Sequence, residues 1–318
     1  MRFLLTDEQR AFARSLDALL TAAGTPSVIR SWGAGDHRAG RALWSRIAEA
    51  GVFALAVPEA YEGVGPLPVE LAVAFVELGR HAVPGPVVET VLAAALLSGL
   101  PGPAERLLPQ LASGKALATV GAPYALDGDA ADVVLVLRDG ELWLSPGCRP
   151  ETRPSLDPAR RLATPLPGGE LLSPGFPPDA VTWARLATAA QALGVGCALL
   201  DRTVAYVKQR VQFGVPIGSF QAVKHRLADA KIALEFARPL LFGAALSMSP
   251  ADVAAAKVAA CEAAYTTART ALQLHGAIGY TAEYGLSLWL TKARALRTAW
   301  GAPAECRAAV LNGVRPPR

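Results

Sequence analysis

The distribution of proline constrains this chain more than any other feature. Ten prolines fall between Pro123 and Pro178, and none falls between Asp179 and Phe213. Proline has no N–H to donate and clashes inside a helix, so the first stretch excludes long helices and the second admits one. The change divides the chain into a helical beginning, a small β unit and a helical end, which is an α+β fold, mostly α.

Local signals agree with that division. Thr6-Asp7-Glu8-Gln9 reads as a capping box that opens a helix carrying Phe12, Leu16, Leu19 and Leu20 at helical spacing. A second helix is predicted near Arg41 to Ala50, closed by Gly51. Segment 51–68 is a Gly/Pro-rich connector. Helices resume at Val69 to Gly79 and at Val87 to Leu100, where Pro101 and Pro103 are expected to end them. In the middle, Val133 to Leu137 and Glu141 to Leu144 flank Arg138-Asp139-Gly140, and Asp-Gly between apolar runs predicts a hairpin. After Asp179 the expected helices are a long proline-free one, one capped by Ser219, one from Ala251 to His275, one from Glu283 to Ala299, and a short one near Glu305 to Leu311. Phe220, Val223, Leu227, Ala230 and Leu234 space out a coiled-coil-like seam.

Composition sets broad limits. The 318 residues are 52% hydrophobic and 18% charged, which excludes general disorder. The longest uncharged runs, between Glu89 and Glu105 and between Arg185 and Asp201, are 15 residues each, short of the roughly 20 that a membrane span needs. The net charge of +4 is spread among acidic residues, so no basic stripe points to nucleic acid. Cys148, Cys197, Cys261 and Cys306 lack zinc spacing, and His37, His81, His225 and His275 are far apart, so no metal site is predicted. Residues 1–15 do not read as a signal peptide, and the expected compartment is a reducing cytoplasm.

Phosphate-loop, nucleophile-elbow and paired-cysteine signatures are absent. Two segments carry chemistry instead. Arg210-Val211-Gln212-Phe213-Gly214-Val215-Pro216-Ile217-Gly218-Ser219-Phe220-Gln221 places an arginine at a helix end before a Gly/Pro turn. A guanidinium there can hold a phosphate through two hydrogen bonds, and a fresh helix start at Ser219 and Phe220 offers backbone N–H groups. Gln273-Leu274-His275-Gly276-Ala277-Ile278-Gly279-Tyr280-Thr281-Ala282-Glu283-Tyr284 opens a loop between helices with two glycines, where a ligand can approach backbone amides.

Together the two segments resemble the acyl-CoA dehydrogenase family, which carries RxxFGxPIxxFQ-type and QxxGGxGYTxE-type motifs in this order. The resemblance extends to LAVPEAYEGVG (55–65) and the helix from Ser219. It implies an N-terminal helical domain (1–115), a reduced middle β domain (116–178) and a C-terminal four-helix bundle (179–318). It implies FAD held across a subunit interface. By resemblance Arg210 meets the FAD pyrophosphate with Gln212 nearby, and Phe213 packs beside the adenosine half. Gln221 belongs to the matching FQ pair, and Gln273, Gly276 and Ala277 meet the same region of a neighbour's FAD. His275 is expected to be a packing residue.

The sequence departs from the family where the reaction needs a base to take the substrate α-proton. The two base positions known in the family fall at Trp300 and Ala184, so no catalytic residue is assigned. Glu283, Glu235 and Glu305 are weaker substitutes, Glu283 reading as part of its loop. The TEP-type strand is replaced by ALATVGAPYALDGDA (116–130). Small members of this kind pair with a larger homologous subunit that supplies the glutamate, notably in actinobacterial steroid side-chain degradation. The expected function is therefore the non-basic subunit of a heterotetrameric acyl-CoA dehydrogenase, acting on an acyl-CoA with an acceptor such as electron-transfer flavoprotein. A self-sufficient homomeric flavoenzyme with another base, and a non-enzymatic structural subunit, are the alternatives.

Overall fold

The computed structural model describes residues 4–177 and 179–314. The N-terminal helices are α1 (Asp7–Ala22), α2 (Thr25–Gly33), α3 (Arg38–Glu49), α4 (Pro68–Arg80), α5 (Val87–Leu97) and α6 (Pro101–Ala112). The capping box at Thr6 forms as read: Gln9 N–H donates to Thr6 Oγ1 at 3.2 Å, and Thr6 N–H donates to Gln9 Oε1 at 3.0 Å. Helix α5 ends before Pro101, as expected, but the sequence reading did not find the helix that begins there. Pro101 is the first residue of α6, where its missing N–H would have been unpaired in any case. Pro26 plays the same part near the start of α2, which the sequence reading did not find.

Seven short strands follow. Strands β1 (Ala118–Gly121), β3 (Val133–Arg138), β4 (Glu141–Ser145) and β7 (Glu170–Ser173) form one sheet in the order β1-β3-β4-β7. Strands β2 (Ala125–Leu126), β6 (Leu162–Pro165) and β5 (Cys148–Arg153) form another in the order β2-β6-β5. The expected hairpin is present with Leu137 opposite Leu142 and Arg138 opposite Glu141. Its two loop residues, Asp139 and Gly140, have φ of 55° and 81°, the positive values that a tight hairpin turn demands.

The C-terminal half is built from α7 (Ala180–Gln209), α8 (Gln221–Ser247), α9 (Pro250–His275), α10 (Ser287–Leu296) and α11 (Pro303–Val314). Helix α10 is shorter than the span predicted from Glu283 to Ala299, because 283–286 bend and turn before it and 297–299 are turn after it. The α8 seam buries Ala230 and Leu234, while Phe220 is exposed and Val223 and Leu227 are only part-buried. The first turns of α8 therefore stand clear of the bundle.

Helix α7 is long and apolar enough by composition to cross a membrane, yet most of its apolar stretch is enclosed within the protein. It touches α4, α5, α8, α9 and α10. Its crossing with α4 brings backbone to backbone. A Cβ on Gly194 would lie 1.9 Å from Val76 O, and one on Gly79 would lie 2.1 Å from Gln191 O. Neither neighbour can move aside, because both are helix backbone.

The fold also gathers polar groups that are distant in sequence. Asp17, Glu77 and His81 come within 4.8 Å of one another, and His81 Nε2 lies 2.8 Å from Asp17 Oδ1. Burial pushes the Glu77 carboxyl up to about 7, against the pull of Arg80 and with help from Asp17. Burial also pushes Asp127 up to about 7, with one oxygen accepting from Arg161 N–H at 3.0 Å.

Two outcomes are expected. Gly194→Ala gains about 1 kcal/mol of helix propensity but forces α4 and α7 apart, so denaturant unfolding should show a net loss of about 1–3 kcal/mol. Glu77 and Asp127 hold protons in the folded state at pH values where the unfolded chain has released them. Stability therefore falls as pH rises from their ordinary carboxyl values toward 7. Melting of the Glu77→Gln/Asp127→Asn variant across pH 4 to 8 should show a flatter profile than the parent.

Candidate functional site

Arg210 ends α7, its N–H donating to Tyr206 O while its carbonyl accepts from Ile217 N–H at 2.8 Å. Between these anchors the chain makes a two-stranded ribbon, β8 (Val211–Gln212) and β9 (Val215–Pro216). Phe213 and Gly214 form its tip with φ of 54° and 76°. The positive angle suits glycine but strains an aromatic residue. The Phe213 ring is 92% exposed and meets Phe220 edge-on at 6.2 Å. The Arg210 side chain is exposed, and among the described residues it has no ion-pair partner. Gln212 turns its amide back to Val211 O at 2.9 Å, and Gln221 is the exposed first residue of α8.

Ser219 does not cap α8. Its hydroxyl donates to Pro216 O at 2.7 Å, and Phe220 N–H donates to Ile217 O at 3.2 Å. The preceding 3₁₀ turn uses the Phe220 N–H that was expected to be free for an anion.

The second motif lies at the same end of the bundle. His275, the last residue of α9, stacks on Tyr206 of α7 with ring centres 4.1 Å apart. Its Nδ1 lies 2.7 Å from Ala271 O, and burial holds its pKa below the usual histidine value. A buried, stacked imidazole bonded to its own helix is packing, as expected. Gly276 follows with φ of 63° and ψ of −141°, and a Cβ there would meet nothing within 4 Å. Glycine is needed for the dihedral, not for space inside the chain. Gln273, Gly276 and Ala277 are all exposed.

A groove of about 370 Å³ lies beside Gln273, lined also by Arg226, Thr266, Arg269, Thr270 and Tyr280. Sequence reasoning missed the two arginines. Positions 266, 269, 270 and 273 share one helix face, a signal that could have found Arg269; Arg226 lies on a different helix.

At the opposite end of α7 a different cluster forms. Arg185 Nε donates to Trp300 O at 3.1 Å, so the segments around Ala184 and Trp300 are neighbours. Trp300 has φ of 54°, and its indole N–H donates to Glu89 Oε1 at 3.0 Å. Lys257, itself buried, donates to the next carbonyl, Gly301 O, at 2.7 Å. Glu89 is 3% exposed, and its other oxygen has no partner. It too escaped the sequence reading, although it interrupts an otherwise apolar helix. The remaining glutamates are occupied or distant: Glu235 pairs with Lys231 at 2.6 Å, and Glu305 accepts from Ala302 N–H at 3.0 Å. Glu283 lines a separate cavity of about 510 Å³ with Arg30, Asp157 and Ser287.

Comparison with known proteins decides the family. Residues 6–115 match the acyl-CoA dehydrogenase N-terminal domain, and residues 178–311 match the acyl-CoA dehydrogenase C-terminal domain. The chain is 34% identical over 293 residues to the acyl-CoA dehydrogenase IpdE2 of Mycobacterium tuberculosis, covering 90% of this chain and 91% of that one. The chain belongs to the acyl-CoA dehydrogenase family. Among solved structures, the ChsE4-ChsE5 complex from Mycobacterium tuberculosis superposes with a TM-score of 0.86 at 25% identity and full coverage of both chains. The Tcur3481-Tcur3483 steroid ACAD variant gives a TM-score of 0.85 at 25% identity, covering 97% and 98%.

Acyl-CoA dehydrogenases are oxidoreductases acting on CH–CH groups, with FAD as cofactor. The bundle end fits a flavin dinucleotide. Arg210 presents an unpaired guanidinium, and the neighbouring groove presents two more with no carboxylate among its lining residues. Trp300→Phe should remove the only hydrogen bond that the Glu89 side chain makes among the described residues and leave a buried carboxyl group unpaired. Thermal and denaturant unfolding should then show a loss of about 1–3 kcal/mol.

Proposed function

We propose that this chain is the non-basic subunit of an FAD-dependent acyl-CoA dehydrogenase that desaturates a bulky acyl-CoA between its α and β carbons. The observation that carries the reading is the pairing of Ala184 and Trp300 positions through the 3.1 Å Arg185–Trp300 bond. Both places from which family members deliver a carboxylate meet here, and neither alanine nor indole accepts a proton. When bound, FAD supplies the hydride acceptor for the β carbon. Arg210, with Gln212, Phe213 and Gln221 around it, and Gln273, Gly276 and Ala277 on the facing loop, bind and orient its nucleotide half. Residues 1–115, 116–178 and 179–318 act as helical, β and bundle domains of one subunit.

A larger homologous subunit supplies the glutamate. The similar ChsE4-ChsE5 structure is a complex of two different chains, and the Tcur3481-Tcur3483 protein is a steroid ACAD, which supports a paired enzyme and a polycyclic acyl group. The surface supports it as well. Ile232, Phe236 and Leu240 repeat every four residues along α8 and are exposed, Phe236 by 69%. Such a stripe is interface material, as is the Phe213 tip. Electrons would pass to an acceptor such as electron-transfer flavoprotein.

A second reading has its own observation. Glu89 brings a buried carboxylate to the indole that occupies the base position, and in a homomeric enzyme it could serve as the base. The two readings separate in one set of measurements. The chain is purified alone and with a full-length homologue, and flavin absorbance and dye-coupled acyl-CoA oxidation are recorded. The paired reading expects oxidation only in the complex, and Arg210→Ala to weaken flavin retention by about 1.5–3 kcal/mol. Full oxidation by the lone chain, lost in Glu89→Gln, would establish the second reading instead.

A further inference from the structure

Residues 154–161 join β5 to β6, and Arg153 pairs with Leu162 across the base of this loop. Hairpin loops usually have two to five residues, so this one is long. Its own turn is well bonded. Ala159 N–H donates to Asp157 Oδ1 at 3.0 Å, and Arg160 N–H donates to Asp157 O at 2.9 Å. Among the described residues, no hydrogen bond or ion pair ties 154–160 to the rest of the protein. The outside anchors begin at Arg161, whose N–H donates to Asp127 Oδ1 and whose guanidinium donates to Trp32 O, both at 3.0 Å. The loop is an internally bonded turn that is fastened only at its base.

The loop runs between two cavities that α10 also lines. One, of about 510 Å³, reaches Ser287, Leu288 and Thr291. The other, of about 350 Å³, reaches Arg294, Ala295 and Thr298. Leu156 lines both and is 62% exposed, whereas Asp157 and Ala159 turn inward and are buried. Lys292 of α10 is buried too. Burial holds its ammonium below the usual lysine value, and Asp157 is foremost among the charges that counter this. The ammonium itself donates to Val83 O at 2.9 Å, and Asp157 Oδ2 is left without a partner. Attraction to Lys292 therefore draws the loop inward, while an unmade hydrogen bond in the interior opposes closure. Lifting the loop would hydrate that oxygen.

We propose that residues 154–161 form a strap that swings about Arg153 and Leu162, with Asp157 as its latch on Lys292. Opening joins the two cavities into one groove along α10, and the strap gates access to it. The motion is independent of the function proposed above.

Thiol labelling of the full chain tests the strap. Ala159→Cys is treated with a water-soluble maleimide, and modification at position 159 is followed by mass spectrometry beside that of Cys261, which is buried in α9. Position 159 should react at least about tenfold faster than Cys261, because the strap opens while the bundle stays closed. Low denaturant should leave the rate at position 159 nearly unchanged, since a local opening exposes little surface. Two changes to the latch are then added separately. Asp157→Asn keeps an acceptor for Ala159 N–H and removes the charge, and Lys292→Met removes the opposite charge. Each should speed labelling at position 159 by about threefold or more while Cys261 stays slow. Circular dichroism and melting confirm that each variant is folded, and either one suffices if the other does not fold. Equal rates at position 159 and Cys261, rising together with denaturant, overturn the strap. An unchanged rate at position 159 in the folded latch variants overturns the role of Asp157 and Lys292.

Discussion

Everything in this molecule hangs on the crossing of α4 and α7. Gly79 and Gly194 let the two backbones touch, with each glycine set against a carbonyl of the other helix. A protein interior is packed too densely to absorb a methyl group at a backbone contact. The crossing ties the first helical layer to the C-terminal bundle and sets the height at which α7 enters the protein. Because α7 is enclosed by five other helices, its two ends become the reference points for the functional surfaces.

Those ends have opposite character. The Tyr206 end is open and basic: a strained Phe213 turn, an exposed Arg210 and the arginine-lined groove all face outward. The Ala184 end is closed and occupied. Trp300 is held by its carbonyl through Arg185 and by its indole through Glu89, and the following carbonyl is held by Lys257. The exposed Arg210 turn and the Ala184–Trp300 contact are thus separated along one helix of 30 residues.

Much of this was legible in the sequence. The proline distribution marked the β unit, Asp139-Gly140 fixed the hairpin, and Thr6 with Gln9 marked the first helix start, because these signals are local and carry their own geometry. The signals that failed depend on context. Pro101 reads equally as a stop and as a first helical residue, and only the chain beyond it decides. Ser219 has the chemistry of a cap, but the turn before it uses its hydroxyl locally. Arg226 and Arg269 are 43 positions apart (269 − 226) and meet only because α8 and α9 pack side by side. Glu89 and Trp300 are further apart still, and their contact joins α5 to the segment after α10. The motifs placed Arg210 and Gln273 at one end of the bundle, whereas the arginines between them belong to tertiary structure.

The Glu89–Trp300 bond has a consequence for how such a chain can change over generations. A glutamate introduced at position 300 would remove the indole N–H that Glu89 Oε1 accepts from. It would also set a second carboxyl group against a buried one left without that donor, and like groups in contact resist ionising together. Position 300 is therefore constrained by a residue more than 200 positions away (300 − 89 = 211). Exchange of the tryptophan for an acidic residue would require a second, coordinated substitution at position 89. The tryptophan is held in place by the chain's own interior.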